Sequence, residues 1–485
     1  MRWLLGLLVL CLVAVGGLWV AAGRGTPPAL EITKPDRAVG QKADLEVVAT
    51  SPAGTLTNLN IVLEQHGTET ALFSLADPQE ASVTDLGDGR TKVVRPIGKT
   101  AIPALQEGPA TIVVSATRKS LLGLRTLSSR ASRDVQVRLA PPAVAVLSTH
   151  HYINHGGAEM VIYRATPADV TSGVRVGDIE YPGFPAVGAG ITGGDPNLKV
   201  AFFALLHNQD LRTPIVAFAR DDAGNEATAS FIDNVFEKPF KKSQIPIDDR
   251  FLQRVVPDIL AHSPEVSAPA DDLLKGFLVA NGEVRRLNAE KITQLTAATA
   301  PALLFKGPFI QLGNSKVEAS FADDRTYVYE GKAIDRQTHL GFDLARTAHV
   351  EILAANDGKV LNASWLGIYG NCVIIDHGMG IASLYGHLSS IDVKVGDSVT
   401  RGQVIGRSGA TGMAGGDHLH FTMLVHGQPV NPVEWWDSHW ISDRIDRKLR
   451  EAGASSVATG GQPSRPSPRA TAGGPRRNKR AGRVQ

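Results

Sequence analysis

The sequence predicts a multidomain, mainly β protein: an N-terminal transmembrane helix, two β-sandwich regions of immunoglobulin-like pattern, a small helical subdomain and a β-rich C-terminal domain. Three observations predict it. An uncharged apolar run from Trp3 to Ala22 opens the chain. Short alternating runs separated by turn residues fill much of positions 30–240. Helical spacing over residues 245–300 then gives way to short strands punctuated by glycine. At 485 residues the chain is too long for one hydrophobic core. An apolar fraction of 43% with 49 glycines suits a turn-rich β protein. A net charge of +2 makes no general electrostatic case for nucleic acid, and no specific nucleic-acid partner is expected.

Residues 1–24 form a membrane anchor or signal segment. The apolar run, flanked by Arg2 and Arg24, is long enough to cross a bilayer as a helix. Its length favours an uncleaved anchor in the inner membrane, and Val20-Ala21-Ala22 leaves a cleavable signal as the alternative. Either way the bulk of the chain lies in the periplasm or extracellular space. Cys11 and Cys372 are too differently placed to pair, so no disulfide is expected. From 30 to 140, runs such as Ala43-Asp-Leu-Glu-Val-Val48 and Thr111-Ile-Val-Val-Ser-Ala116 alternate as half-buried strands do. Pro141-Pro142 marks a joint. A second sandwich spans 143–240, its clearest piece a hairpin turning at Asp221-Asp-Ala-Gly-Asn225. The cluster His150, His151 and His155 has no carboxylate or cysteine in step and reads as loop structure.

Residues 245–300 carry helical stripes at Arg250-Phe-Leu-Gln-Arg-Val-Val256 and Asp272-Leu-Leu-Lys-Gly-Phe-Leu278, with Asn288 as the N-cap of a further helix. This subdomain stands where it could shield the cleft of the following domain or dock a partner. The β-rich domain covers 305–436. A short charged helix follows over 443–451. Residues 452–485 form a basic tail rich in Pro, Gly and Ser, expected to be disordered and free to touch anionic polymer or lipid.

Five polar residues dominate the C-terminal domain: His339, Asp343, His387, His418 and His420. Imidazole nitrogens and a carboxylate oxygen are the donors a borderline metal such as zinc takes, and three protein ligands leave a fourth position open for chemistry. His418 and His420 are two apart, so on a strand both point to one face. Gly341 between His339 and Asp343 favours a turn into a strand over a helix face. An isolated His-x-His is more often a pair of strand histidines than a ligand set. Here all five occur within one region, which reads as metal-assisted hydrolysis.

The blocks around these residues resemble the LytM-type, lysostaphin-like zinc metallopeptidases of family M23. They are His339-Leu-Gly-Phe-Asp-Leu344, Gly370-Asn-Cys-Val-Ile-Ile-Asp-His-Gly378, Leu384-Tyr-Gly-His-Leu-Ser389, Val395–Gly406, Gly409-Ala-Thr-Gly412, His418-Leu-His-Phe421 and Pro429-Val-Asn-Pro432. The resemblance implies a small antiparallel sheet with one zinc in a groove above it, held by the metal ligands His339, Asp343 and His420. It implies His387 and His418 as catalytic residues, His418 activating the water and His387 stabilising the oxyanion. Departures occur at Met413-Ala-Gly-Gly-Asp417, at Thr422 where the family usually has Glu, and at Phe321-Ala-Asp-Asp-Arg325. Arg325 reads as a solvated surface arginine, with substrate contact as the alternative. Asp376-His377-Gly378 reads as a hairpin turn.

The expected function is a zinc-dependent endopeptidase of the cell envelope, hydrolysing peptide cross-links of peptidoglycan. Its partners would be stem peptides, the inner membrane and a protein of the wall machinery. The alternative is a non-catalytic LytM-like scaffold that binds and activates a cell-wall amidase.

Overall fold

The structure is a computed structural model. It describes residues 2–454 apart from 24, 52–54, 79, 121, 122, 124 and 270, so the basic tail expected from 452 lies almost entirely outside the described residues. The chain is mainly β.

Residues Arg2–Gly23 form helix α1. Among the described residues no helix is long and apolar enough to cross a membrane. The expected transmembrane helix is corrected accordingly.

Residues 29–137 form two sheets, one of four strands and one of five. Apolar side chains at alternate positions, such as Leu45, Val47 and Ala49 on one sheet and Ile112, Val114 and Ala116 on the other, meet in a single core. Residues 143–230 form two further four-stranded sheets. The hairpin read from its turn residues is present: Ile215–Arg220 pairs antiparallel with Glu226–Ser230, and Asp221 Oδ1 accepts from Ala223 N and Asn225 N inside the turn.

The C-terminal domain is built on an eight-stranded sheet. Its order runs Lys316–Ala319, Phe342–Ala345, Leu419–Val425, Ile381–Leu388, Asn371–Gly378, Gly358–Trp365, Ser398–Val399, with Gln428–Val430 attached to Leu419–Val425. A second sheet joins Lys242–Ile247, parallel, to Asp323–Tyr329, which pairs with Lys332–His339. The start of the expected helical subdomain is therefore a strand of this sheet. Asn371–Gly378 continues as a strand through the residues read as a hairpin turn. His377 is fully buried, with Nδ1 2.7 Å from Asp357 O and Nε2 2.7 Å from Ser383 Oγ.

Three helices follow the strand at 242–247: α2 (Asp249–Ala261), α3 (Leu273–Val279) and α4 (Arg285–Thr296). Asp248 and Asp272 cap α2 and α3 by accepting from Phe251 N and Lys275 N. Asn288 is not an N-cap. A π-turn at Ala280–Val284 carries the helix on from α3 into α4, which buries Asn288, and its Oδ1 accepts from Ile368 N at 3.0 Å. Leu252, Val255, Val256, Ile259, Phe277 and Val284 pack together against Tyr327 and Ile368 of the C-terminal domain.

The second β region and the C-terminal domain share one continuous core, in which Phe202 and Phe305 both pack against Trp435. Helix α5 (Pro432–Trp436), helix α6 (Ser438–Ile441) and helix α7 (Arg447–Glu451) seal that junction with polar links. Lys448 Nζ lies 2.7 Å from Glu159 Oε1, both fully buried. Glu434 accepts from Asn154 Nδ2 at 2.6 Å and from Ala158 N at 2.8 Å.

Burial pushes the Glu434 carboxyl up to about 7 from an ordinary 4.5. The folded chain therefore binds this proton more tightly than the unfolded chain does. Stability falls as pH rises from about 4.5 through about 7, by about 3 kcal/mol from this group. Glu434→Gln should lose that part of the slope. Denaturant titrations across the window check it, and parallel slopes for the two proteins would refute it.

Candidate metal centre

Backbone register brings three of the five predicted residues to one point. Asp343 sits opposite His420 across the pair Phe342–Ala345 and Leu419–Val425, and His420 sits opposite Gly386 on the next strand. His339 ends its strand, and the turn at Leu340-Gly341 folds Asp343 back towards it. A side chain at Gly341 would place a Cβ 2.6 Å from His420 Nε2 and from Thr422 Oγ1, so only glycine allows the turn to close over the site.

Three donor atoms converge. His339 Nε2 is 2.9 Å from Asp343 Oδ1 and 3.1 Å from His420 Nδ1, and His420 Nδ1 is 3.1 Å from Asp343 Oδ1. Ligands bound tetrahedrally to zinc at about 2.0–2.1 Å stand about 3.3 Å apart, so this spacing fits that ion. Among the described residues this is the group whose donor atoms are close enough to share a metal.

The surrounding bonds orient the lone pairs. His339 Nδ1 lies 3.0 Å from Ser320 O, which takes its proton and leaves Nε2 as the donor to a metal. His420 Nε2 lies 3.0 Å from Thr422 Oγ1, whose hydroxyl donates to Leu340 O at 2.9 Å, leaving His420 Nδ1 free. Arg325 Nη2 donates to Asp343 Oδ2 at 3.0 Å, so Oδ1 is the oxygen turned to the histidines. Arg325 is 18% exposed and braced by Asp323, which corrects the reading of a solvated surface arginine. Thr422 entered the sequence reading only as a departure from a family pattern. Its place two residues after His420, on the same strand face, was the available signal of its role.

His387 and His418 stand beside this triad. His387 Nδ1 is 2.8 Å from Thr411 O and His418 Nδ1 is 2.9 Å from Gly416 O, so each ring is tethered by Nδ1 and presents Nε2. Their ring centroids are 4.8 Å apart. His387 adopts φ 63°, a left-handed conformation costly for a non-glycine residue and commonest at functional sites. Asp417 turns away from His418 and accepts from Ser408 Oγ at 2.6 Å.

Burial acts on Asp343, His387, His418 and His420. It would raise the Asp343 carboxyl, but His339, His418 and His420 together hold it well below its usual range. Burial, reinforced by His418 and His420, pushes His387 well down. Burial also lowers His420, to about 4. His418 goes the other way: burial opposes its charge, yet the Asp343 carboxylate, whose Oδ1 lies 3.4 Å from its Nε2, raises it.

The five residues line a cavity of about 160 Å³. One wall comes from the helices: Phe251 of α2 and Arg285 of α4 face the same space as His339, Tyr369 and His420. Arg254 Nη2 also donates to Ala414 O at 2.9 Å, tying α2 to the loop before His418.

Comparison with known proteins gives this arrangement its family. The model of peptidase family M23 matches residues 337–432, a span holding all five residues. Residues 337–432 are a peptidase family M23 domain. The chain is 42% identical over 95 residues to the DD-carboxypeptidase/endopeptidase Mpg of Neisseria meningitidis, covering 20% of this chain and 22% of that one. It is 40% identical over 95 residues to the murein hydrolase activator EnvC of Escherichia coli, covering 20% and 23%. The chain thus spans about a fifth of the length of these relatives. Among solved structures, the catalytic domain of lysostaphin from Staphylococcus simulans is 28% identical, covering 25% of this chain and 92% of that one, with a TM-score of 0.22. The relatives of the M23 domain include both enzymes and an activator, so membership alone does not choose between hydrolysis and scaffolding.

Thr422→Val removes the acceptor for His420 Nε2–H while keeping side-chain volume. Zinc affinity should fall about 10- to 100-fold, read by competition with a chromophoric chelator. Unchanged affinity would show that Thr422 does not fix the His420 tautomer.

Proposed function

We propose that this chain is a zinc-dependent endopeptidase of the cell envelope that hydrolyses peptide cross-links of peptidoglycan. The observation that carries the reading is the complete donor triangle of His339 Nε2, Asp343 Oδ1 and His420 Nδ1, with two further imidazoles facing the same cavity. A scaffold has no use for pre-oriented lone pairs or for a pair of tethered histidines beside them. A zinc ion bound there supplies a Lewis acid and a water of near-neutral pKa.

The chain's own residues supply the rest. Thr411 O and Gly416 O hold the two rings so that each Nε2 faces the reacting groups. His418 Nε2 is placed to take a proton from the attacking water. His387 stabilises the oxygen of the scissile carbonyl. The Asp343 charge that raises His418 is the charge a bound cation would neutralise. The cavity has one wall from helices α2 and α4, and the five residues that line it are largely buried, which strengthens the charge interactions among them. The upstream β regions then act as spacers or partner-binding modules within the envelope.

The rival scaffold reading draws on the activator among the relatives. Metal content and product analysis separate the two. Purified sacculi digested with the full chain should release peptides cut at cross-links, and the protein should hold one zinc per chain. His420→Ala should lose metal and cleavage together. His418→Ala should keep the metal and lose about 10²- to 10⁴-fold in rate. Cleavage retained by both variants would end the hydrolase reading.

A further inference from the structure

We propose that Arg285 forms a carboxylate-binding subsite in the wall of the metal cavity, so that the helical layer reads a free carboxylate on the peptide that enters. The proposal deepens the peptidase reading and rests on it for the peptide nature of the ligand.

Two guanidinium groups line the cavity, and their surroundings differ. Arg325 is engaged by the carboxylates of Asp343 and Asp323. Arg285 is half-buried and meets only neutral groups. Its Nε donates to Asn281 O at 3.2 Å, and its Nη2 donates to Asn281 Oδ1 at 2.7 Å and faces Met413 Sδ at 3.9 Å. Among the described residues no carboxylate pairs with Arg285 and nothing accepts from its Nη1. A half-buried guanidinium without a counter-ion is costly, and in a cavity that also holds a metal cation the cost rises. An entering anion relieves it. The planar fork of arginine matches a carboxylate in particular.

The surroundings of Arg285 are built rather than incidental. Asn281 is completely buried. Its Nδ2 donates to Asp335 Oδ2 at 2.7 Å, which turns its Oδ1 towards Arg285. The nearby carboxylate is thus capped by an amide, and the arginine is oriented without being neutralised. The backbone agrees: the π-turn Ala280–Val284 ends immediately before Arg285 and inserts an extra residue into the helical turn that aims it. Such turns give poorer hydrogen bonding than an α-helix and recur where a side chain must be redirected for function.

A carboxylate near a scissile peptide bond can be the α-carboxylate of a chain end or that of an acidic side chain. The test uses the full-length, zinc-loaded protein in the His418→Ala background, so that binding is read without turnover. Calorimetry compares a cross-linked stem peptide in three forms: both carboxylates free, the α-carboxylate amidated, and the side-chain carboxylate amidated. Amidation of the recognised group should weaken binding about 10- to 100-fold, and the sensitive form identifies the source. Arg285→Gln should weaken the free form by the same factor and abolish the difference between forms. Arg285→Lys should keep part of it. Zinc content and circular dichroism confirm that each variant is folded.

Discrimination that persists in Arg285→Gln, or absence of binding to all three forms, overturns the subsite. The two readings fail separately. Arg285-dependent binding by a protein that leaves sacculi uncut removes the hydrolase and keeps the subsite, whereas cleavage without Arg285 dependence does the reverse.

Discussion

The site depends on three lone pairs forced to face one another. Two imidazole nitrogens and a carboxylate oxygen about 3 Å apart repel unless a cation or protons lie between them. That arrangement survives folding only because each group is held from behind: His339 by Ser320 O, His420 by Thr422 Oγ1, Asp343 by Arg325. Those holds in turn require the strand register that sets Asp343 against His420, and a glycine at 341 that lets the turn close. A one-residue slip of Leu419–Val425 would turn His418 and His420 to the opposite face of the sheet. The geometry of the candidate donor triangle is therefore a property of sheet register as much as of the three residues themselves.

The helical layer bears on the same point from the other side. Its apolar seam packs on Tyr327 and Ile368, residues of elements adjoining the metal ligands. Tyr327 shares a strand with Arg325, and Ile368 neighbours Tyr369, whose ring lies 5.3 Å from that of His420. The helices thus buttress residues that orient the ligands while supplying Phe251 and Arg285 to the cavity wall. Two local distortions border the cavity, the left-handed His387 and the π-turn before Arg285. Strain of this kind persists only where the surrounding packing over-determines the conformation.

How far the sequence was legible follows from the range over which each signal acts. The five polar residues could be found because each sits in a short block whose neighbours are dictated by turn and strand geometry, and the structure gathers all five. The hairpin around Asp221 was readable for the same reason. Asn288 was misread because a cap signal is local, whereas its side chain accepts from Ile368 N, a partner 80 residues away in the chain. His377 was misread because Asp-His-Gly is turn chemistry in isolation, and only its pairing with Asp357 O and Ser383 shows it buried in a strand. Arg325 gave no local sign of facing Asp343, since the two meet through a sheet pairing that brings Asp323 against His339. The strand at 242–247 was hidden for a related reason: its partner lies some eighty residues away.

The fusion of the second β region to the peptidase domain constrains how the protein can move. One apolar core runs through both, and buried polar groups cross the junction: Glu159 with Lys448, and Glu434 with Asn154 and Ala158. Separating the two would expose that core and leave buried charges without partners, a cost far above thermal energy. The first β region has a core of its own and meets the second where Gly40 packs on Ala223, where Asn225 Nδ2 donates to Arg138 O, and where Arg138 pairs with Asp169 and Asp222 at the surface. Such exposed pairs are weak. The joint near Pro141-Pro142 thus lies between two separate cores, whereas the candidate metal centre and the second β region share one. The helical layer is intermediate, because it keeps a separate small core but is stitched to the domain by Asn281, Arg254 and Asn288.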